Sequence, residues 1–318
     1  MNDIRIKIMS GIALLFIHSY VYSQQPYEIV ESYAKEQASG ETPQPGAQEN
    51  NISIYAKPVT IEPAIDGMPD PVWDKAEGIC VWDSIAQINV HIKAVYTADK
   101  IFFLVRFNDP TESRQHKVWH WNTAEDMYIQ GFEREDTFIF KWNMEENPVD
   151  LSIYADNEYY ADIWFWKADR TDPVGYADDK MHIFSDEKMN KSTEIITRTG
   201  ATMYLSRTGD EGREAYFSSL PTLYEGDTVH HYNHCPPDGS RADIQAKGVW
   251  NNNQWTIEFS RALQTGNADD ISFDTGKTYL FGISRYEIAG GLPEPDWNQP
   301  LYNAGDVNNA ITLIFDKE

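Results

Sequence analysis

From Ile52 onward, apolar and polar residues alternate with a period of two in short runs, the pattern of half-buried strands. Ile88-Asn89-Val90-His91-Ile92-Lys93-Ala94-Val95-Tyr96 is the clearest run. A turn at Thr97–Lys100 leads into Ile101-Phe102-Phe103-Leu104-Val105-Arg106-Phe107, apolar enough to be covered on both faces, so the two segments predict a hairpin. Further strands are predicted over Thr137–Asn143, Asp150–Tyr154, Asp162–Lys167, Thr202–Ser206, Ala242–Trp250, Gln254–Ser260, Lys277–Tyr286 and Ala310–Phe315. Asn251-Asn252-Asn253 supplies turn residues for a second hairpin. Helical periodicity is confined to Pro71–Glu77. Many short strands and almost no helix predict an all-β protein, an antiparallel β-sandwich forming one domain over 52–318.

The N-terminus has a different pattern. Arg5 and Lys7 precede a mostly apolar stretch from Ile8 to Tyr22, and Val21-Tyr22-Ser23 fits an export-signal cleavage site. Residues 1–23 therefore read as a signal peptide cut before Gln24, too short to serve as a span of about 20 residues. Residues 24–51, rich in Gln, Glu, Pro and Gly, read as a flexible spacer. The expected location is across the inner membrane, periplasmic or associated with the outer envelope, with no membrane span in the mature chain.

Charge narrows the partners. With 50 acidic against 26 basic residues the net charge is −24, which repels phosphate backbones and argues against nucleic acid. The two cysteines, Cys80 and Cys235, exclude zinc ribbons, cysteine-ligated iron–sulfur clusters and covalently attached haem. After export they either pair or remain as two thiols.

Several segments carry more than strand patterning. Ala64-Ile65-Asp66-Gly67-Met68-Pro69-Asp70-Pro71-Val72-Trp73 opens the domain with a turn and an anchoring tryptophan. With the hairpin after it, this opening resembles the DOMON-like superfamily, which includes family 9 carbohydrate-binding modules and haem-binding gamma subunits of ethylbenzene and dimethylsulfide dehydrogenases. The stretches Glu135–Asn143, Asp162–Ala168, Gly175–Asp179, Gly239–Ile244 and Trp255–Gly266 are similar to the ethylbenzene-dehydrogenase-related, cytochrome c-552-like haem-binding domain, in order from about Ile61 to Phe315. The resemblance implies a sandwich that binds haem b non-covalently and transfers electrons with a redox protein or oxidoreductase complex of the cell envelope, without catalysing a reaction itself.

In relatives of that family the iron is held by a methionine and a lysine. Here Lys141 stands at the methionine's place, with Met144 three residues on and pointing to the other face of the strand. The lysine would fall within Ile288–Trp297, where this chain has neither lysine nor histidine. The candidate axial donors are Lys141, as a neutral amine, and His116 or His120 in the preceding loop. Trp142, Met144, Trp164, Trp166 and Tyr286 are the candidates for lining the cofactor; the tryptophans serve equally as core. Under the alternative reading the fold has lost haem and Trp164 and Trp166 stack on a glycan. His230-His231-Tyr232-Asn233-His234-Cys235 is a dense donor run, read as a solvated loop in preference to a metal site. Asp178-Asp179, Asp269-Asp270 and Glu145-Glu146 read as solvated surface. No GxSxG, HExxH, Walker or GxGxxG motif is present.

Overall fold

The computed structural model describes residues 52–83, 88–152, 155–286 and 310–317. The predicted signal peptide and spacer, and the segment Ile288–Trp297, lie outside the described residues.

The strands are β1 (Ile52–Pro58), β2 (Ile79–Asp83), β3 (Ile88–Tyr96), β4 (Lys100–Asn108), β5 (Trp119–Asn122), β6 (Met127–Gln130), β7 (Thr137–Asn143), β8 (Tyr159–Lys167), β9 (Asp178–Ser185), β10 (Thr193–Ile196), β11 (Thr202–Gly209), β12 (Tyr216–Ser218), β13 (Thr228–Val229), β14 (Tyr232–His234), β15 (Gln245–Asn251), β16 (Gln254–Ala262), β17 (Thr278–Tyr286) and β18 (Ile311–Phe315). The first sheet runs β10-β11-β9-β8-β7-β17-β18-β1 and the second β1-β3-β4-β16-β15, with β2 added to β3. Strand β1 joins the two. Its first five residues pair in parallel with β18, and Lys57-Pro58 then pair in parallel with Val95-Tyr96. The remaining ladders are antiparallel, so the predicted sandwich is present and β1 is its exception. Small ladders β13-β5-β6 and β12-β14 lie apart from these sheets.

The two sheets are held by interdigitated aromatic side chains. Phe103 of β4 meets Phe140 of β7 at 4.9 Å between ring centroids, and Trp166 of β8 meets Trp255 of β16 at the same distance. Burying rings of this size supplies most of the apolar area of such a core. A second cluster, built on Ile139, Tyr159, Ala161, Ile163, Phe184 and Leu205, covers the other face of β7, β8 and β9. That double coverage is why β7 is buried at every position.

Local chemistry explains the turns and the short helix. Asn252 and Asn253 take φ of 50° and 60°, the left-handed pair that a two-residue hairpin turn requires. Pro71–Lys75 forms a single 3-10 turn. It seats buried Trp73, whose indole donates to Glu258 Oε1 at 2.7 Å, while Asp66 and Gly67 amides donate to Glu258 Oε2. The opening motif thus locks onto β16.

Two expectations are corrected. Asp150–Ser152 is not strand; Asp150 instead accepts the Ser152 amide at 2.8 Å in a side-chain-capped turn, and Ile153 and Tyr154 lie outside the described residues. Gly239–Ala242 is a 3-10 turn, so the predicted Ala242 strand begins at Gln245. Of the two states left open for Cys80 and Cys235, the structure has two free thiols. No helix among the described residues is long and apolar enough to cross a membrane.

Gly212 marks a close crossing of two chain segments. Its φ is +122°, and an added Cβ would lie 1.9 Å from the Asp238 carbonyl oxygen. Gly212→Ala is expected to cost at least about 2 kcal/mol in urea unfolding. Gly200→Ala, at φ +86° with open space around it, should lose only about 1 kcal/mol of backbone strain. Equal losses at the two sites would refute the crossing as the cause.

Candidate functional site

The aromatic residues predicted to line a cofactor belong to the packed interior. Trp142, Trp164 and Trp166 have no exposed surface. Trp142 meets Phe281 at 4.5 Å and Trp164 at 5.3 Å, so the rings fill the space between the sheets with one another. A porphyrin or a sugar has no slot there, and the tryptophan wall is withdrawn as a binding surface. Met144 follows β7, half-buried, with its amide on Tyr160 O at 3.1 Å. Tyr286 ends β17 opposite Thr137.

Lys141 faces the opposite way. Alternation along β7 sends Phe138, Phe140 and Trp142 between the sheets, and Ile139 and Lys141 into the second cluster. The Lys141 amine is fully buried there. It donates to the Leu151 carbonyl and, at 2.7 Å, to the Tyr159 hydroxyl, whose ring stacks on Phe184. The candidate donor and the candidate wall therefore sit on two faces of one sheet and cannot share a pocket. What the second cluster does offer a haem is an apolar lining and one amine among neutral oxygens; the amine would have to give up a hydrogen bond to reach iron. The donor suits the group chemically, but the cluster around it is closed, with Ile139, Tyr159, Ile163 and Leu205 fully buried, so a haem could enter only if this face opened.

The two histidines lie at another rim, in a network that joins distant segments. Glu135, 1% exposed, accepts the backbone amides of Asp169 at 2.7 Å and Arg170 at 2.9 Å, together with the Arg170 guanidinium. His116 Nδ1 is 3.4 Å from Glu135 Oε1 and lacks a hydrogen-bond partner, while the His116 amide donates to Asp169. Arg170 lies over the rings of Tyr216 and Tyr232. Nearby, Lys167 and Lys180 both reach Asp178, and Lys167 also donates to the Tyr216 hydroxyl at 3.1 Å. Burial brings Lys167 down to about 8, with Asp178 opposing the fall. Burial, then Glu135, raises Asp169 to about 6. His120 is exposed on β5 and bound to Glu133 at 2.6 Å.

His116 has a measurable consequence. Burial, reinforced by Arg170 and Lys117, holds its pKa far below the ordinary value. The unfolded chain takes a proton there below about pH 6.5, and the folded chain does not. Stability from this group is therefore complete above pH 6.5 and drains away as pH falls, by about 1.4 kcal/mol per pH unit. The difference in unfolding free energy between wild type and His116→Gln should follow that slope from pH 6 to 4.5; a flat difference refutes it.

The histidine run is ordered rather than solvated throughout. His231 stacks on Tyr232 at 4.3 Å, and its Nδ1 either donates to Lys117 O at 3.0 Å or accepts from Gln130 Nε2 at 3.1 Å, according to its tautomer; His234 reaches Asp169 O at 2.7 Å. Asp178 is likewise buried, where surface exposure was expected. Glu135, Asp169 and Arg170 had no signal in the sequence beyond the charged run that follows the aromatic strand β8.

A groove of about 340 Å³ opens on the outer face of the second sheet, lined among others by Cys80, His91, Lys93, Arg106 and Gln254. Cys80 lies opposite His91 in the β2–β3 ladder. Trp82, two residues along β2 from Cys80, is 55% exposed.

An all-β sandwich with buried charge networks is the class these features define. A family model described as ethylbenzene dehydrogenase matches residues 53–291, and the chain belongs to that family. No protein of curated function matches. Among solved structures, it is similar to a family 9 carbohydrate-binding module from Caldicellulosiruptor kristjanssonii in complex with glucose, at 12% identity and TM-score 0.39, covering 84% of this chain and 97% of that one. The same module with cellotriose gives 12% identity and TM-score 0.38, covering 84% and 95%. At such scores the likeness carries no argument about ligands.

Proposed function

We propose that the chain is an exported, non-catalytic haem b-binding subunit that relays electrons for an oxidoreductase complex of the cell envelope, with Lys141 as an axial donor. The observation that carries this reading is the Lys141 amine, fully buried in an apolar cluster at the position where the resemblance places an iron ligand. Family membership across residues 53–291 supports it. Bound there, haem would supply a one-electron redox centre. The chain's part is to exclude water with Ile139, Ile163 and Leu205, and to hold the amine in place through Leu151 and Tyr159 until it is needed. A net charge of −24 steers a basic redox partner toward the surface and makes the encounter salt-sensitive. His116 and His120, engaged at the other rim, take no part.

The test is a visible spectrum of the purified chain titrated with hemin. A near-stoichiometric Soret band that is lost in Lys141→Leu and kept in His116→Gln supports the proposal. A folded chain with no such band removes the haem reading, and a band lost only in His116→Gln moves the donor.

The groove favours a second reading, a glycan-binding module, because it gathers the polar side chains of His91, Lys93, Arg106 and Gln254, and the exposed indole of Trp82 lies two residues along β2 from its lining residue Cys80. Affinity electrophoresis on soluble polysaccharides decides it. Retardation abolished by Trp82→Ala would support this reading, and migration unaffected by every glycan would dismiss it.

A further inference from the structure

The inner face of the first sheet carries charge that neither reading uses. Alternation along β8 turns Asp162 inward beside Trp164, and Asp179 of β9 lies directly opposite Trp164. Asp270, in the β16–β17 connection, joins them, and the carbonyl of the next residue, Ile271, accepts from Arg261 of β16 in the second sheet. Asp162 and Asp179 have no exposure and Asp270 has 6%. Asp179 and Asp270, expected from the sequence to be solvated, are therefore buried.

We propose that Asp162, Asp179 and Asp270 form a binding site for a hard divalent cation, calcium, which ties the two sheets together at this end of the sandwich. One carboxylate oxygen from each lies within 4.8 Å of the others. Three oxygens so spaced leave a point no more than about 2.8 Å from all three, which admits calcium–oxygen distances. The donors are all oxygen, which disfavours zinc or copper.

The independent observation is a shortage of donors. Asp179 and Asp270 have both oxygens buried without a hydrogen-bond partner, and one oxygen each of Asp162 and Asp210 is buried in the same way. Buried acceptors are nearly always paired, so six such oxygens in one place call for something positive. Arg261 is present, but its guanidinium is directed to Asp162 Oδ2 and the Ile271 carbonyl. The Ile271 amide takes the same Asp162 oxygen, leaving the other one facing the group. Asp210 and Asp243 add to the negative field around the site. Burial, then Asp162 and Asp270, raises Asp179 well above its ordinary value, and burial raises Asp162, so negative charge here is costly without a cation. The ligands would come from β8, β9 and the β16–β17 connection.

The experiment uses the purified chain stripped with EDTA and then dialysed free of it. Calorimetric titration with calcium chloride should show one site per chain, and calcium at a hundredfold excess over Kd should raise Tm by about 5 °C or more. Asp179→Asn should abolish both responses, yet in EDTA melt no lower than the stripped wild type, because it removes a buried charge. If Asp179→Asn does not fold, Asp270→Asn, in a connecting loop, serves in its place. A folded, stripped wild type that shows neither heat nor a Tm shift with millimolar calcium overturns the proposal. So does a calcium response that survives the substitution.

Discussion

Trp164→Ala is expected to lower the unfolding free energy by about 3–5 kcal/mol, the range for deleting a large buried aromatic side chain. The side chain has no exposure and is surrounded by rings: Trp142 at 5.3 Å, and Phe103 and Phe140 at 5.9 Å each. The Arg261 guanidinium lies 5.1 Å from its ring centroid. Its indole N–H has no hydrogen-bond partner, so the loss comes from packing and cavity formation rather than from a broken hydrogen bond. Collapse into the hole is resisted because each neighbour is itself pinned between two sheets. Urea unfolding should show a lower midpoint with an unchanged m-value. A loss below about 1 kcal/mol would mean that the ring is dispensable to the core, and would reopen its use as a binding platform.

That outcome separates what the sequence disclosed from what it concealed. Strands with one consistent local instruction were legible: β7, predicted over the same residues, and the β15–β16 hairpin, where two asparagines adopt left-handed backbone. Strand β9 was not, because Asp178-Asp179 at its start resembles a solvated turn. In the fold the period of two sends Asp178 to Lys167 and Lys180 on one face, and Asp179 to the inner acids on the other. The same period applies to Lys141 and Trp142. As adjacent residues of a strand they must face opposite sides, so alternation alone rules out a haem site that uses both. The rim network was hidden for a different reason. Glu135 and Arg170 are 35 positions apart, and nothing local shows that two backbone amides and a guanidinium converge on one carboxylate. The resemblance located the family and the position of Lys141, while the predicted second-ligand segment falls outside the described residues.

Glu135→Ala should cost about 3–5 kcal/mol, as large as the loss of a core tryptophan, although no apolar core is touched. The substitution strands the Arg170 guanidinium beneath Tyr216 and Tyr232 and leaves the Asp169 and Arg170 amides without their acceptor. An unpaired buried cation is the expensive part, because burial of Arg170 opposes its charge and Glu135 sustains it. Arg170→Met alone should also destabilise, by leaving Glu135 as an uncompensated buried carboxylate. The double variant should recover a substantial part of the summed loss, since neither charge remains to be desolvated. Unfolding free energies of wild type, both single variants and the double variant at pH 7 close this cycle. A coupling energy near zero would mean that the carboxylate and guanidinium are each stabilised by other partners, and that the rim is not organised around this pair.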